Sequence, residues 1–153
     1  MKLFLLEPEV AGGFGENSVL IYEDKRIKEV KHLHYEFEGW LGDDLLTTSP
    51  CFIVTESLAN TIISSKLTGV RFDEVEVSQS DIFKELYTNK DLPSFKRLVP
   101  LGSVELEQGR VIKWIGQDFC LENRVDLVVT ENALEVIKKH ALQNCDITEL
   151  ILG

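Results

Sequence analysis

The groups in this chain that could do chemistry are three histidines, three cysteines and 26 acidic side chains. His32, His34 and Glu36 are spaced two apart, so an extended backbone places them on one face. That begins a metal site, but a zinc shell takes three or four convergent donors, and His140 is the only further histidine. A structural or surface role is the expectation. Cys51, Cys120 and Cys145 lie among apolar neighbours without CxxC spacing, which suits free buried thiols in a reducing compartment rather than a disulfide framework. Asp43-Asp44 offers too few oxygens for a six-ligand magnesium or calcium shell. The Gly-rich AGGFGEN, Ala11 to Asn17, follows a strand pattern but precedes another strand. The helix N-terminus that cradles phosphate is therefore missing, and a plain loop is expected there. There is no GxSxG, and no serine or cysteine is paired with a recognisable base. No catalytic residue, metal or cofactor is assigned.

What does stand out is EFEGWLGDD, in which Glu36, Glu38, Asp43 and Asp44 surround Trp40 with no basic residue between. An aromatic anchor inside a ring of one charge is a recipe for a protein-binding hot spot, so these five residues are the partner-binding candidates. The competing reading puts Trp40 in the core and the acids in solvent, since tryptophan is well buried on average. Net charge points the same way as the hot spot: 26 acidic against 16 basic residues leave −10. That disfavours nucleic acid and anionic membrane, which need a basic face, and favours a basic protein partner steered in by opposite charge. No apolar run approaches the ~20 residues of a membrane span. The opening MKLFLLEP is too short, and too acidic in its flank, for a signal peptide. A cytoplasmic location is the expectation.

The elements that must position these residues are organised around a repeat. Phe52 to Val77 lies over Leu127 to Leu152 at a shift of 75 without a gap. Val54/Val129, Thr55/Thr130, Glu56/Glu131, Ile62/Ile137, Leu67/Leu142 and Glu74/Glu149 are identical. Each copy reads as strand, helix, strand. Thr55 and Thr130 fall at the N-cap, and Glu56 and Glu131 at the positive end of the helix dipole. Lys66, Lys138, Lys139 and His140 fall in the last turns, and Gly69 and Asn144 are the residue types that best take a left-handed stop. Whether this is a true duplication or two units of one common pattern is open at this point.

Around the repeat, Lys2 to Leu6 reads as a strand stopped by Pro8, and Ser18 to Tyr22 with Arg26 to Val30 as a hairpin. In KHLHYEFEG, Leu33, Tyr35 and Phe37 alternate with His32, His34, Glu36 and Glu38, a half-buried strand with a wet face. Phe72 to Val77 reads as one strand. Ser78 to Ser80 with Asp81 make the start of a short helix with Ile82, Phe83, Leu86 and Tyr87 as its apolar face, and Asn89 to Pro93 ends it. Phe95 to Val99 reads as a strand closed by Pro100, and Gln108-Gly109 as a hairpin turn. Nothing rich in Pro, Gly or Ser divides the chain. The prediction is one domain over 1–153, α+β, with a mixed, mostly antiparallel sheet, two main helices and one short one.

The layout GWLGDDLL, then PCFIVTESLANTIISSKLTGVRFDEVEVSQS, then DFCLENRVDLVVTENALEVIKKHAL resembles the immunity proteins of bacterial polymorphic toxin systems. The likeness is to families in which a V-[ST]-E helix ends in L-T-G before an F-x-x-V-E-V strand, and it covers about Glu36 to Leu142. The resemblance implies a cytoplasmic α+β protein that binds a cognate toxin domain and blocks it without chemistry of its own. It transfers no contact residues. Two other classes stay open: a small ligand- or metal-binding domain or enzyme using a carboxylate-lined cleft with His32 or His34, and a structural homo-oligomer subunit, with a homodimer compatible with any of these.

Overall fold

A computed structural model of the chain describes residues 2–88 and 91–152; Asn89, the expected start of the second helix's exit, lies outside them. The first half runs β1 (Leu3–Glu7), β2 (Gly12–Phe14), β3 (Val19–Glu23), β4 (Arg26–His32), β5 (His34–Phe37), β6 (Leu45–Thr48), β7 (Cys51–Thr55), α1 (Glu56–Ser64), β8 (Val70–Asp73), β9 (Glu76–Gln79) and α2 (Asp81–Leu86). The second runs β10 (Phe95–Pro100), β11 (Gly102–Glu107), β12 (Arg110–Trp114), β13 (Phe119–Glu122), β14 (Asp126–Thr130), α3 (Glu131–Ile137), β15 (Asp146–Glu149) and β16 (Ile151–Leu152). The fold is α+β, with mixed, mostly antiparallel sheets and, among the described residues, three helices.

The strand orders show how far the repeat extends. One sheet reads β15-β1-β14-β13-β11-β12-β16. The others read β8-β10-β7-β6 and β2-β5-β9, joined by a parallel bridge between Glu9 and Leu46. Placed end to end, these match the seven-stranded sheet strand for strand, and every antiparallel or parallel pairing has the same sense in both. The β3–β4 hairpin is the one strand pair with no counterpart. It is inserted between β2 and β5 where the second half has only the Gln108-Gly109 turn, whose φ of 52° and 77° are those of a tight hairpin.

The first strand of each half pairs in the other half's sheet. β1 lies between β14 and β15, while β10 lies between β7 and β8. Leu3 faces Thr130 as Phe95 faces Thr55, and both strands run into a proline, Pro8 or Pro100. Each strand–helix–strand unit is thus a split one: β7 and β8 are parallel but separated by an antiparallel strand from the far half. The apolar stripes of α1 and α3 meet over the joint, where Leu58, Ala59 and Ile62 share a cluster with Ala133, Leu134 and Ile137.

Thr55 and Thr130 cap their helices as predicted, accepting from the Leu58 and Ala133 amides at 3.3 Å each. Each hydroxyl also donates to an aspartate, Asp44 at 2.9 Å and Asp118 at 2.7 Å. The other carboxylate oxygen of each aspartate reaches across the joint. Asp44 accepts from the Ala141 amide at 2.8 Å, and Asp118 from the Thr68 amide at 2.9 Å. Each half therefore fastens the segment that leaves the other half's helix.

Several expectations are corrected. α3 stops at Ile137, so Lys138, Lys139 and His140 lie beyond its last turn and Asn144 is not its stop. The 141–144 backbone is held by Asp43 and Asp44 instead. After α1 the first left-handed residue is Lys66, with φ 56°; Gly69 is left-handed too, with φ 75°, but stands at the entry to β8 rather than at the helix stop. Phe72 to Val77 is broken at Glu74-Val75 into β8 and β9, which serve different strand partners. The expected glycine loop contains β2, where a side chain on Gly12 would strike the Glu36 carbonyl. On α2 only Phe83 is buried, and Ile82 and Leu86 are exposed.

Candidate functional site

The base of the β3–β4 hairpin and the parallel pair β5–β9 enclose a hollow of about 550 Å³. Parallel pairing sets His34 beside Glu76 and Glu36 beside Ser78, so alternate residues of two neighbouring strands share one face. Gly15, Glu16 and Asn17 close the side as the chain turns from β2 into β3. The Gly15 amide donates to the His34 carbonyl at 2.7 Å, and any side chain on Gly15 would strike the His34 ring. The glycine-rich stretch is thus required for this close approach, not for a phosphate.

His34 is only 5% exposed, which corrects its predicted place on a wet face. Its Nδ1 accepts from the Asn17 amide at 3.2 Å, so the ring proton sits on Nε2, which donates to Ser78 Oγ at 2.7 Å. A serine nucleophile needs the reverse, an unprotonated ring nitrogen facing the hydroxyl. In this arrangement the pair braces β5 against β9. Glu76 accepts from His32 Nε2 at 2.8 Å and from Asn17 Nδ2 at 2.8 Å. Those bonds, that from His32 first, hold its carboxyl below the ordinary carboxylate range. Among the described residues no group of three His, Cys, Asp or Glu side chains is arranged to hold a metal ion.

The five residues predicted as one patch are placed in three settings. Glu36 lines the hollow and Glu38 is exposed beside it. Trp40 packs edge-on against Phe95 at 6.1 Å and donates its indole N–H to the Asp43 carbonyl at 2.9 Å. Asp43 is 1% exposed, its carboxylate accepting from the Gln143 and Asn144 amides at 2.9 and 2.7 Å. Asp44 holds Thr55 and Ala141, as above. The two aspartates are joints of the fold, and the expected ring of surface acids around Trp40 is reduced to its glutamates. Glu16 and Glu76 join Glu36 instead. Alternation along DEVEVSQ already set Glu76 and Ser78 on one face, but that this strand lies beside β5 is not written in the local pattern.

The hollow is therefore lined by three carboxylates from three segments, with no lysine or arginine among its lining residues. Glu76 is held in place, whereas neither Glu16 nor Glu36 has an ion-pair partner among the described residues. Such a lining is complementary in charge to a cation. Comparison with known protein families finds no matching family model, and no curated protein matches the chain.

Proposed function

We propose that this chain is a stoichiometric inhibitor of the immunity-protein type, which binds a cognate toxin domain in the cytoplasm and covers a basic active site. The observation that carries this reading is the hollow with its two unpaired glutamates, Glu16 and Glu36, on a chain of net charge −10. A lysine or arginine from a basic cleft would enter it, and the surrounding negative field would speed the encounter. The resemblance of the V-T-E helix and L-T-G strand layout to such proteins supports the same class. Among the described residues no helix is long and apolar enough to cross a membrane.

The test is co-expression with the toxic domain encoded beside this protein. Protection of growth, and a one-to-one complex on gel filtration, are expected. Glu16→Lys combined with Glu36→Lys should abolish both, while Glu105→Lys, on the exposed side of β11, should leave them intact. Absence of rescue by the unaltered chain ends the proposal.

A further inference from the structure

A second concavity, walled in part by the inserted hairpin, has the opposite charge. It occupies about 750 Å³ between β4 and the face of β7–β10–β8 that the helices leave bare. Strand alternation sets Cys51, Arg97, Val99 and Arg71 on that face, while Phe52, Val54 and Leu98 point to the helices. Five cations line the cleft, Lys28, Lys31, Arg71, Arg97 and Arg124, against two carboxylates, Glu29 and Asp73; Arg71 is paired with Asp73 and Lys28 with Glu23, which leaves Lys31, Arg97 and Arg124. In a chain with ten more acids than bases, such a concentration is against the average.

The repeat supplies a control. At the corresponding register positions of the other half, Arg71 is matched by Asp146 and Arg97 by Leu5. The frame therefore does not need these charges, and the hairpin that walls the cleft is itself the unrepeated element. Arg97 is anchored by Nη1 donating to the Val30 carbonyl at 2.8 Å, yet its buried Nε has no acceptor. Arg124 sits at φ 66° in a four-residue turn closed by Val125 N–H to Glu122 O at 3.0 Å. Glycine is the residue that position favours, so a long cation is held there against backbone preference. Arg26 Nη2 donates to the Asn123 carbonyl at 2.9 Å, docking the hairpin tip on that turn. The walls between the cations are aliphatic, Ile27, Val30, Pro50 and Val99, with no aromatic ring among the lining residues to stack on a base.

We infer that this cleft is a binding site for a small phosphorylated molecule, its phosphate or pyrophosphate group held by Arg97, Arg124 and Lys31 and its non-aromatic body by the aliphatic wall. Guanidinium forks match phosphate oxygens bidentately, and a concavity of this size with few convergent polar groups is typical of small-ligand sites. The site is independent of the acidic hollow and of any toxin.

The experiment is calorimetric titration of the full chain with inorganic pyrophosphate at low salt. Saturable one-site binding is expected, weakening with added sodium chloride. Arg124→Gly relieves the turn and should raise the melting temperature while weakening binding about fivefold or more, the loss of one charge-assisted contact. Lys31→Ala should weaken binding comparably. Lys25→Gly relieves the same kind of strain at φ 65° outside the cleft and should leave affinity unchanged. No saturation at millimolar pyrophosphate, unaltered affinity in Arg124→Gly or Lys31→Ala, or an equal loss in Lys25→Gly would each overturn the inference.

Discussion

At the scale of single residues, the chain spends its most conspicuous acids on backbone amides. Asp43, Asp44 and Asp118 accept from amides at 2.7–2.9 Å, and for all three the bonds cross from one half to the other. A hydrogen bond to a charged group is worth about 2 kcal/mol, and Asp44 and Asp118 each hold a threonine hydroxyl besides the amide. Asp44→Ala and Asp118→Ala are each expected to lower unfolding free energy by ~2–3 kcal/mol by urea denaturation, with no change of fold in circular dichroism. A loss under ~0.5 kcal/mol, the usual size for a surface substitution, would show the bonds to be incidental. The local sequence misleads at these aspartates for a physical reason. Charge and exposure usually go together, and an aspartate whose amide partners lie about a hundred positions away reads locally as a surface acid.

At the scale of elements, the exchange of β1 and β10 makes each sheet depend on the other half. Leu6 and Leu98 occupy corresponding positions in the exchanged strands, and both are buried in the cluster beneath the helices. Leu6→Ala and Leu98→Ala should each cost about 3 kcal/mol, the middle of the range for such core truncations. A chain cut between 88 and 94 should give two fragments that are unfolded apart and form a sheet-rich complex when mixed, as read by circular dichroism. Independent folding of either fragment would contradict the exchange. The strand–helix–strand repeat was legible because 75 positions separate its copies without a gap. The exchanged strands, KLFLLEP and SFKRLVP, were not, because they share only a leucine and a proline in register and stand at a different spacing. The inserted β3–β4 hairpin makes that difference. Likewise β13, FCLE, lacks clean alternation, and its strand identity comes from lying between β14 and β11.

At the scale of the whole molecule, burial of neutral acids sets an upper pH limit. Burial pushes Tyr35 from 10.0 to about 12, Cys120 from 9.0 to about 11 and Cys145 from 9.0 to about 12. The unfolded chain releases these protons first, so it binds fewer protons than the folded one over that interval, and stability falls as pH rises. The urea midpoint should hold near pH 8 and decline steadily from about pH 9 towards 12. Cys120→Ala should make the decline shallower between about pH 9 and 11; an unchanged slope would mean that the thiol is not protected in the folded state. Charge is also arranged at this scale. A hollow lined by Glu16, Glu36 and Glu76 and a cleft lined by Arg71, Arg97 and Arg124, the latter walled by the inserted hairpin, put two surfaces of opposite sign on one repeated frame.

The position of β1 bears on how the protein is made. LFLLE leaves the ribosome ahead of everything it will pair with, since Leu3 awaits Thr130 and Phe4 awaits Glu149. At ordinary elongation speeds that is a delay on the order of ten seconds, during which a greasy, unmatched segment is open to stray association. The amino-terminal half gains no respite by folding early, because its own central strand has yet to be translated. Prematurely terminated copies should therefore be inactive and aggregation-prone, and only the finished polypeptide can serve.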